Sequence, residues 1–185
     1  MAAVPQPRAP EEPQTRLAPF DASHADRVLR WVATPREMYW LAPNTRPPLT
    51  ARDITGWRKP GHQPFLLLDA TNGTPVGYGE LNELTGVPGN YWLGHLLVDP
   101  EQRGRGFGIA LTRRLLERAF VHAGATRVTL VVFPENAAAV RCYERAGMRR
   151  DGYEAHHFEI YNRREQLLRM AADYTTLSRI ARAST

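Results

Sequence analysis

A chain of 185 residues, 43% hydrophobic and 23% charged, is long enough to bury one core and has the balance of an ordinary globular domain. Its single cysteine, Cys142, excludes an intrachain disulfide and suits a reducing compartment, which makes the cytoplasm the default location. The net charge of +5 is nearly all arginine, with no nucleic-acid-binding signature and no apolar run of membrane-span length, so both nucleic acid and membrane are set aside as partners.

Residues 1–14 carry Pro5, Pro7, Pro10 and Pro13 without an apolar period and read as a disordered lead-in. Thr15 to Phe20 reads as a first strand, after which Asp21 or Ser23 caps a helix bearing Ala25, Val28, Leu29 and Val32. Thr34-Pro35-Arg36-Glu37 has the form of a capping box with proline at the first helical position, and Thr50 with Asp53 opens another short helix. The aromatic residues Trp31, Tyr39, Trp40 and Trp57 in this region read first as packing. Phe65 to Asp69 is a strand, Asn72-Gly73 marks its turn, and Pro75 to Leu84 is the hairpin partner.

Tyr91 to Val98 alternates as a strand and stops at Asp99-Pro100. From Ile109 onward, Leu111, Leu115, Leu116, Ala119 and Phe120 recur at helical spacing. Between them lie Gly104, Gly106 and Gly108, interleaved with Arg103 and Arg105. A strand feeding a glycine-rich turn that opens a helix is an anion cradle. Free N–H groups of the first turn, the helix dipole and the arginines all favour a phosphate there. A P-loop needs GxxxxGKS/T, and no lysine is near; a dinucleotide fingerprint needs G-x-G-x-x-G, and GRGFG is too tightly spaced. A further strand, Arg127 to Phe133, is apolar enough to be buried on both faces. A helix follows from Asn136 to Arg145, stopped by Gly147.

Arg103-Gly104-Arg105-Gly106-Phe107-Gly108 fits the pattern Q/R-x-x-G-x-G/A and resembles the acyl-CoA pyrophosphate loop of the GNAT acetyltransferases. Asn136, Ala139, Tyr143, Gly147 and Met148 match a second signature of that family, N-x-x-A-x-x-x-Y-x-x-x-G-F/M, at the proper distance. The resemblance covers residues 15–171. It implies an α/β (α+β) GNAT fold, a mixed and mostly antiparallel sheet of six to seven strands flanked by helices. Residues 151–171 then supply the last two strands, with Asn162-Arg163-Arg164 as their turn. Residues 172–185 form an amphipathic tail, packed on the domain or on the second copy of a homodimer. It also implies that the first two helices border the acceptor site, so one or two of the aromatic rings named above line it.

The implied activity is transfer of an acetyl group from acetyl-CoA to a primary amine of a small molecule or a protein N-terminus, by direct attack on the thioester. The chain resembles the ribosomal-protein N-terminal and aminoglycoside 6′-acetyltransferase branches alike. A CoA-binding regulatory module without turnover and an RG-type nucleic-acid binder are the readings from other classes. The cofactor contacts implied are the backbone of Leu96, Leu97 and Val98 for the pantetheine arm, and Arg103, Gly104, Arg105, Gly106, Phe107, Gly108 and Ile109 for the pyrophosphate. Asn136, Ala139 and Tyr143 lie along the same arm. Tyr143 is the implied acid for the leaving thiolate. Its alternative is a packed helix tyrosine. For the base that deprotonates the amine, Glu80 ranks first, Glu83 second and His95 third; Cys142 reads as filler, and no metal site is expected around His156-His157.

Overall fold

The computed structural model describes residues 12–176, in which short helices and longer strands build one sheet and its two covers. The strands are β1 (Thr15–Pro19), β2 (His62–Asp69), β3 (Pro75–Glu83), β4 (Asn90–Val98), β5 (Arg127–Val132), β6 (Arg149–Phe158) and β7 (Arg163–Asp173). The helices are α1 (Ala25–Arg30), α2 (Pro35–Leu41), α3 (Ala51–Gly56), α4 (Phe107–Glu117) and α5 (Ala137–Arg145). One seven-stranded sheet runs in the order β1-β2-β3-β4-β5-β7-β6. Every neighbouring pair is antiparallel except β4 and β5, which are parallel.

Local chemistry sets the helix starts. The Thr50 hydroxyl accepts from Asp53 N, and the Asp53 carboxylate accepts from Thr50 N at 2.8 Å, a complete capping box. At α2 the box is only half made: Thr34 accepts from Glu37 N, but Glu37 reaches back one residue further, to Ala33 N. Asp21 caps a short 3-10 turn, Ala22–His24, that leads into α1.

The two faces of the sheet are covered differently. Helix α4 lays Phe107, Ala110, Leu111, Leu115 and Leu116 on one face, against Leu67, Leu81 and Leu93. Burying each such leucine stabilises the fold by about 1.5–3 kcal/mol. Gly79 is what lets α4 sit so close, since a Cβ there would meet Leu115 Cδ1 at 2.9 Å. Helix α5 joins this side, with Val140 in the core and Ala139 and Tyr143 against it. The other face carries α1, α2 and α3, which pack Val28, Trp31, Met38, Ile54 and Trp57 over Leu66, Leu68 and Tyr78.

Two expectations, on the burial of β5 and on the β6–β7 turn, are corrected. β5 is buried on one face only: Val128, Leu130 and Val132 are enclosed, while Arg127, Thr129 and Val131 are half-buried. α4 and α5 cover the first set, and Arg127 instead turns to Asp151, 2.6 Å away. The β6–β7 turn falls at Glu159–Asn162, where Asn162 takes φ 47°, so Arg163 and Arg164 already belong to β7. Ala172 and Asp173 also belong to β7; only Tyr174–Thr176 begin a helical turn, and the rest of the expected tail lies outside the described residues. Of the lead-in, residues 1–11 lie outside the described residues. Glu12, Pro13 and Gln14 are in contact: Glu12 pairs with Arg113, Pro13 rests by Gly106, and the Gln14 carbonyl accepts from Ala70 N.

Candidate active site

β4 and β5 pair only through Asn90–Trp92 and Arg127–Thr129. Beyond that point each keeps its other neighbour, β3 or β7, and the two strands part. A bulge in β4 accompanies the parting: Glu80 faces Gly94 and Tyr78 faces Leu97, leaving His95 and Leu96 opposite Gly79 alone. Extra residues on one strand bend it and increase its twist. His95 sits in the bulge at φ 46°, a left-handed conformation uncommon for any residue but glycine. The opening runs down to the start of α4.

There the chain makes the turn Pro100–Gln102 and passes Gly104 and Gly106 at φ 77° and 88° before entering the helix. The first intrahelical bond is Ala110 N to Gly106 O, so the N–H groups of Phe107, Gly108 and Ile109 precede it and point out of the helix end. No side chain caps this end. Arg105 is exposed, stacked over the Phe107 ring and bonded to Gln102. Arg103 is used otherwise. Its guanidinium bonds Glu37 at 2.6 Å and the Trp31 carbonyl at 3.1 Å, and its Nε takes the Val98 carbonyl at 3.2 Å. The half-made cap of α2 thus frees Glu37 to tie that helix to the loop.

Across α4 lies α5, opened by Asn136, whose side-chain oxygen accepts from Ala139 N. Tyr143 is half-buried against the α4 core. Burial, and next the Cys142 thiol, push its hydroxyl above the ordinary tyrosine value, so it keeps its proton. Cys142 packs on Gly108, where a Cβ would meet its Sγ at 3.0 Å. Burial pushes that thiol up to about 11, and a neutral thiol is a poor nucleophile.

On the opposite face, three side chains of β3 at alternate positions form a polar cluster. Glu80 is fully enclosed and accepts from Tyr78 Oη at 2.8 Å and Asn82 Nδ2 at 3.1 Å, with His95 Nδ1 at 2.9 Å. Burial acts against its charge. The His95, Asn82 and Tyr78 contacts together outweigh it and hold the carboxyl below its ordinary value. The His95 ring lies flat on Trp57 of α3, centroids 3.9 Å apart and planes within 3°.

The GNAT acetyltransferase family model matches residues 25–148, which span α1 through Met148 and hold both the cradle and α5. The chain belongs to the GNAT family. An aminoglycoside N(6′)-acetyltransferase type 1 of Klebsiella pneumoniae is 33% identical over 91 residues, 44% of this chain and 45% of that protein. A kanamycin resistance protein of Rhizobium radiobacter is 37% identical over 65 residues, 35% of this chain and 60% of that one. The chain therefore spans about half the length of the curated relatives it matches. In fold, a spermidine N-acetyltransferase from Vibrio cholerae, solved with CoA and spermine, superposes with a TM-score of 0.73 at 21% identity, covering 88% of this chain and 97% of that one. The aminoglycoside acetyltransferase AAC(6′)-Ib with ribostamycin and CoA does so with a TM-score of 0.70 at 23% identity, covering 89% and 96%.

Within this GNAT frame the residues singled out from sequence fall into two groups. Leu96, the segment Gly104–Ile109, Asn136, Ala139 and Tyr143 border the opening or the α4–α5 junction beside it, although the Phe107 ring is core and offers only its backbone. Arg103 and the Val98 carbonyl are bonded to each other, and Leu97 is a buried residue of the α1–α3 side. Glu80 and His95 come together. Glu83 does not join them: it is exposed at the end of β3, beside Gly61. Sequence reasoning missed Tyr78 and Asn82 around Glu80, whereas Trp57 was among the aromatic residues named for the acceptor site. The i, i+2, i+4 spacing of Tyr78, Glu80 and Asn82 was the available signal, since those positions share one face of a strand. Of the four aromatic residues, Trp57 meets His95, whereas Tyr39 packs on Phe133, Phe158 and Tyr161. Among the described residues no His, Cys, Asp or Glu group is arranged to hold a metal ion, and no helix is long and apolar enough to cross a membrane.

Proposed function

We propose that the protein is an acetyl-CoA-dependent N-acetyltransferase acting on a primary amine of a small molecule. One observation carries the reading: an opening between β4 and β5 that ends on an uncapped helix N-terminus, with a protonated tyrosine on the helix alongside. The residues present fit acetyl-CoA. The N–H groups of Phe107, Gly108 and Ile109 and the Arg105 charge suit a pyrophosphate, and the parted strand edges suit the amide-bearing arm. Bound there, the cofactor supplies an activated acetyl group as a thioester.

The protein's own residues then position the reactants, give a proton to sulfur and accept one from nitrogen. The amine nitrogen attacks the carbonyl carbon, the C–N bond forms, and the C–S bond breaks with its electron pair going to sulfur. Tyr143 gives the sulfur its proton. The small-molecule acceptor is supported by the relatives, which carry the names of aminoglycoside acetyltransferases, and by fold neighbours solved with spermine and ribostamycin.

Calorimetry with acetyl-CoA, followed by thiol release over spermidine, kanamycin and a free-amine peptide, tests this. Micromolar cofactor binding and release with spermidine or kanamycin are expected. Gly104→Asp tests the loop: a Cβ there meets nothing within 4 Å, but at φ 77° a side chain strains the backbone, so the variant both adds a carboxylate beside the pyrophosphate and disfavours the turn that presents the N–H groups. It should weaken binding by about tenfold or more, the scale of one charge-assisted contact. A folded wild-type protein that does not bind acetyl-CoA refutes the function.

A further inference from the structure

We propose that His95, through its Nε2, is the group that takes the proton from the attacking amine, and that Glu80 is the positioning residue that prepares it. This rests on the acetyltransferase reading above and assigns the step it leaves open. Two carboxylates on β3 were the leading candidates from sequence. Geometry moves the role across to β4.

Glu80 is inaccessible: its side chain is 1% exposed, against 26% for His95. Its oxygens are also occupied, Oε1 by Tyr78 and His95 and Oε2 by Asn82. A carboxylate can only accept hydrogen bonds, so the 2.9 Å contact requires the His95 proton to sit on Nδ1. Nε2 is then left with a lone pair that can accept a proton. Trp57 holds the ring in plane.

Placement agrees. His95 occupies the strained bulge of β4 above the point where pairing with β5 has ended, so it borders the opening. It lies on the α1–α3 face, packed on Trp57, whereas Tyr143 belongs to the α4–α5 face. This division suits direct transfer: the amine adds to one face of the planar thioester carbonyl, and a base and an acid on separate sides of the opening can serve nitrogen and sulfur without competing for one place. The ammonium gives one proton to Nε2, the free amine attacks, and Tyr143 protonates the departing sulfur. The second nitrogen proton restores the tyrosine, and the imidazolium releases the first to water. The balance is one ammonium and one thioester in, one amide, one thiol and one proton out.

The titratable groups facing His95 are Glu80 and Tyr78 from β3. Behind Glu80, His62 of β2 places Nδ1 3.9 Å from Oε2. α3 contributes the uncharged Trp57.

Three measurements test the assignment. In kcat/KM against pH with spermidine or kanamycin, His95→Gln should remove the acid limb and lower the rate by about 10²–10⁴-fold, the worth of a general base. Its acetyl-CoA affinity by calorimetry should match the parent. Glu80→Gln can offer Nδ1 an amide hydrogen as readily as an oxygen, so the Nδ1–H tautomer should lose population in the NMR spectrum and kcat/KM should fall by less than in His95→Gln. Nitrogen-15 NMR of the unsubstituted protein needs no acceptor and should find the neutral His95 proton on Nδ1. A limb that survives His95→Gln and vanishes in Glu80→Gln makes Glu80 the base and overturns the proposal. So does a proton found on Nε2. Failure of the acetyltransferase reading is a different result: wild-type protein that does not bind acetyl-CoA.

Discussion

The Tyr143 hydroxyl makes no hydrogen bond among the described residues, although its ring is packed against the α4 core and its neighbours on α5 are tied down. A hydroxyl pushed above its ordinary value by burial stays protonated at neutral pH, so a proton is in place to hydrogen-bond the sulfur as negative charge develops on it. Removing the oxygen alone separates this role from packing. In Tyr143→Phe the ring and its contacts remain, so the melting temperature and the acetyl-CoA affinity should match the parent. The turnover number should fall by about 10²-fold or more, the scale of a lost general acid. Steady-state kinetics with acetyl-CoA saturating reads this directly. Equal turnover numbers reduce Tyr143 to a packing residue. Its place was legible in the sequence because the residues that define it, from Asn136 to Gly147, are neighbours on one helix. Glu80 was half legible. Its strand was plain, but its burial depends on Trp57 arriving from α3 and on a bulge in β4, and neither is a property of the GYGELNEL stretch itself.

Elements were easiest to read where a local rule is sufficient and hardest where a distant partner decides. Strand, glycine-rich turn and helix in succession identified the cradle, because backbone freedom at Gly104 and Gly106 is needed there whatever the rest of the chain does. Arg103 was read as part of that cradle, and here its guanidinium straps the loop to α2, since Glu37 lies 66 residues away in sequence and only 2.6 Å away in space. The difference has a measurable consequence. An exposed ion pair contributes about 0.2–1 kcal/mol, whereas a charge-assisted bond to phosphate contributes about 1.5–3 kcal/mol. Arg103→Gln should therefore weaken acetyl-CoA binding by less than about fivefold, less than Gly104→Asp does, while loosening α2 and raising KM for the amine. Calorimetry and kinetics on the one variant separate these effects. A loss of cofactor affinity of about tenfold or more places the guanidinium on the phosphates after all.

Over the whole molecule, carboxylates held below their ordinary values join elements that sequence order keeps apart. Glu37 joins α2 to the loop before α4, and Glu80 joins β3 to β4. Asp151 joins β6 to β5 and β7 through Arg127 and Arg169, and Asp173 joins β7 to β6 through Arg149. Asp21 and Asp69 are lowered by donors within their own turns. For Glu37, Glu80 and Asp151 burial is the largest influence and opposes the charge, but the donors gathered at each together exceed it. For Asp21, Asp69 and Asp173 a hydroxyl leads, from Ser23, Thr71 and Thr175. A group whose folded pKa is depressed contributes stability that is present above its unfolded value and lost as pH falls through the folded one. Unfolded Asp and Glu titrate near about 3.9 and 4.3, so the melting temperature should be level from neutral pH down to about 5 and fall steeply below about 4. Protonation also raises a net charge that is already +5, and the added self-repulsion acts in the same direction and weakens with salt. Asp151→Asn removes one seam's share of the dependence. Its deficit against the parent should be largest at pH 7 and shrink as the parent's own carboxylate is protonated. Melting curves between pH 3 and 8 at two ionic strengths measure both effects. A deficit that stays constant down to pH 3 means that the charge at Asp151 contributes nothing to holding β5, β6 and β7 together.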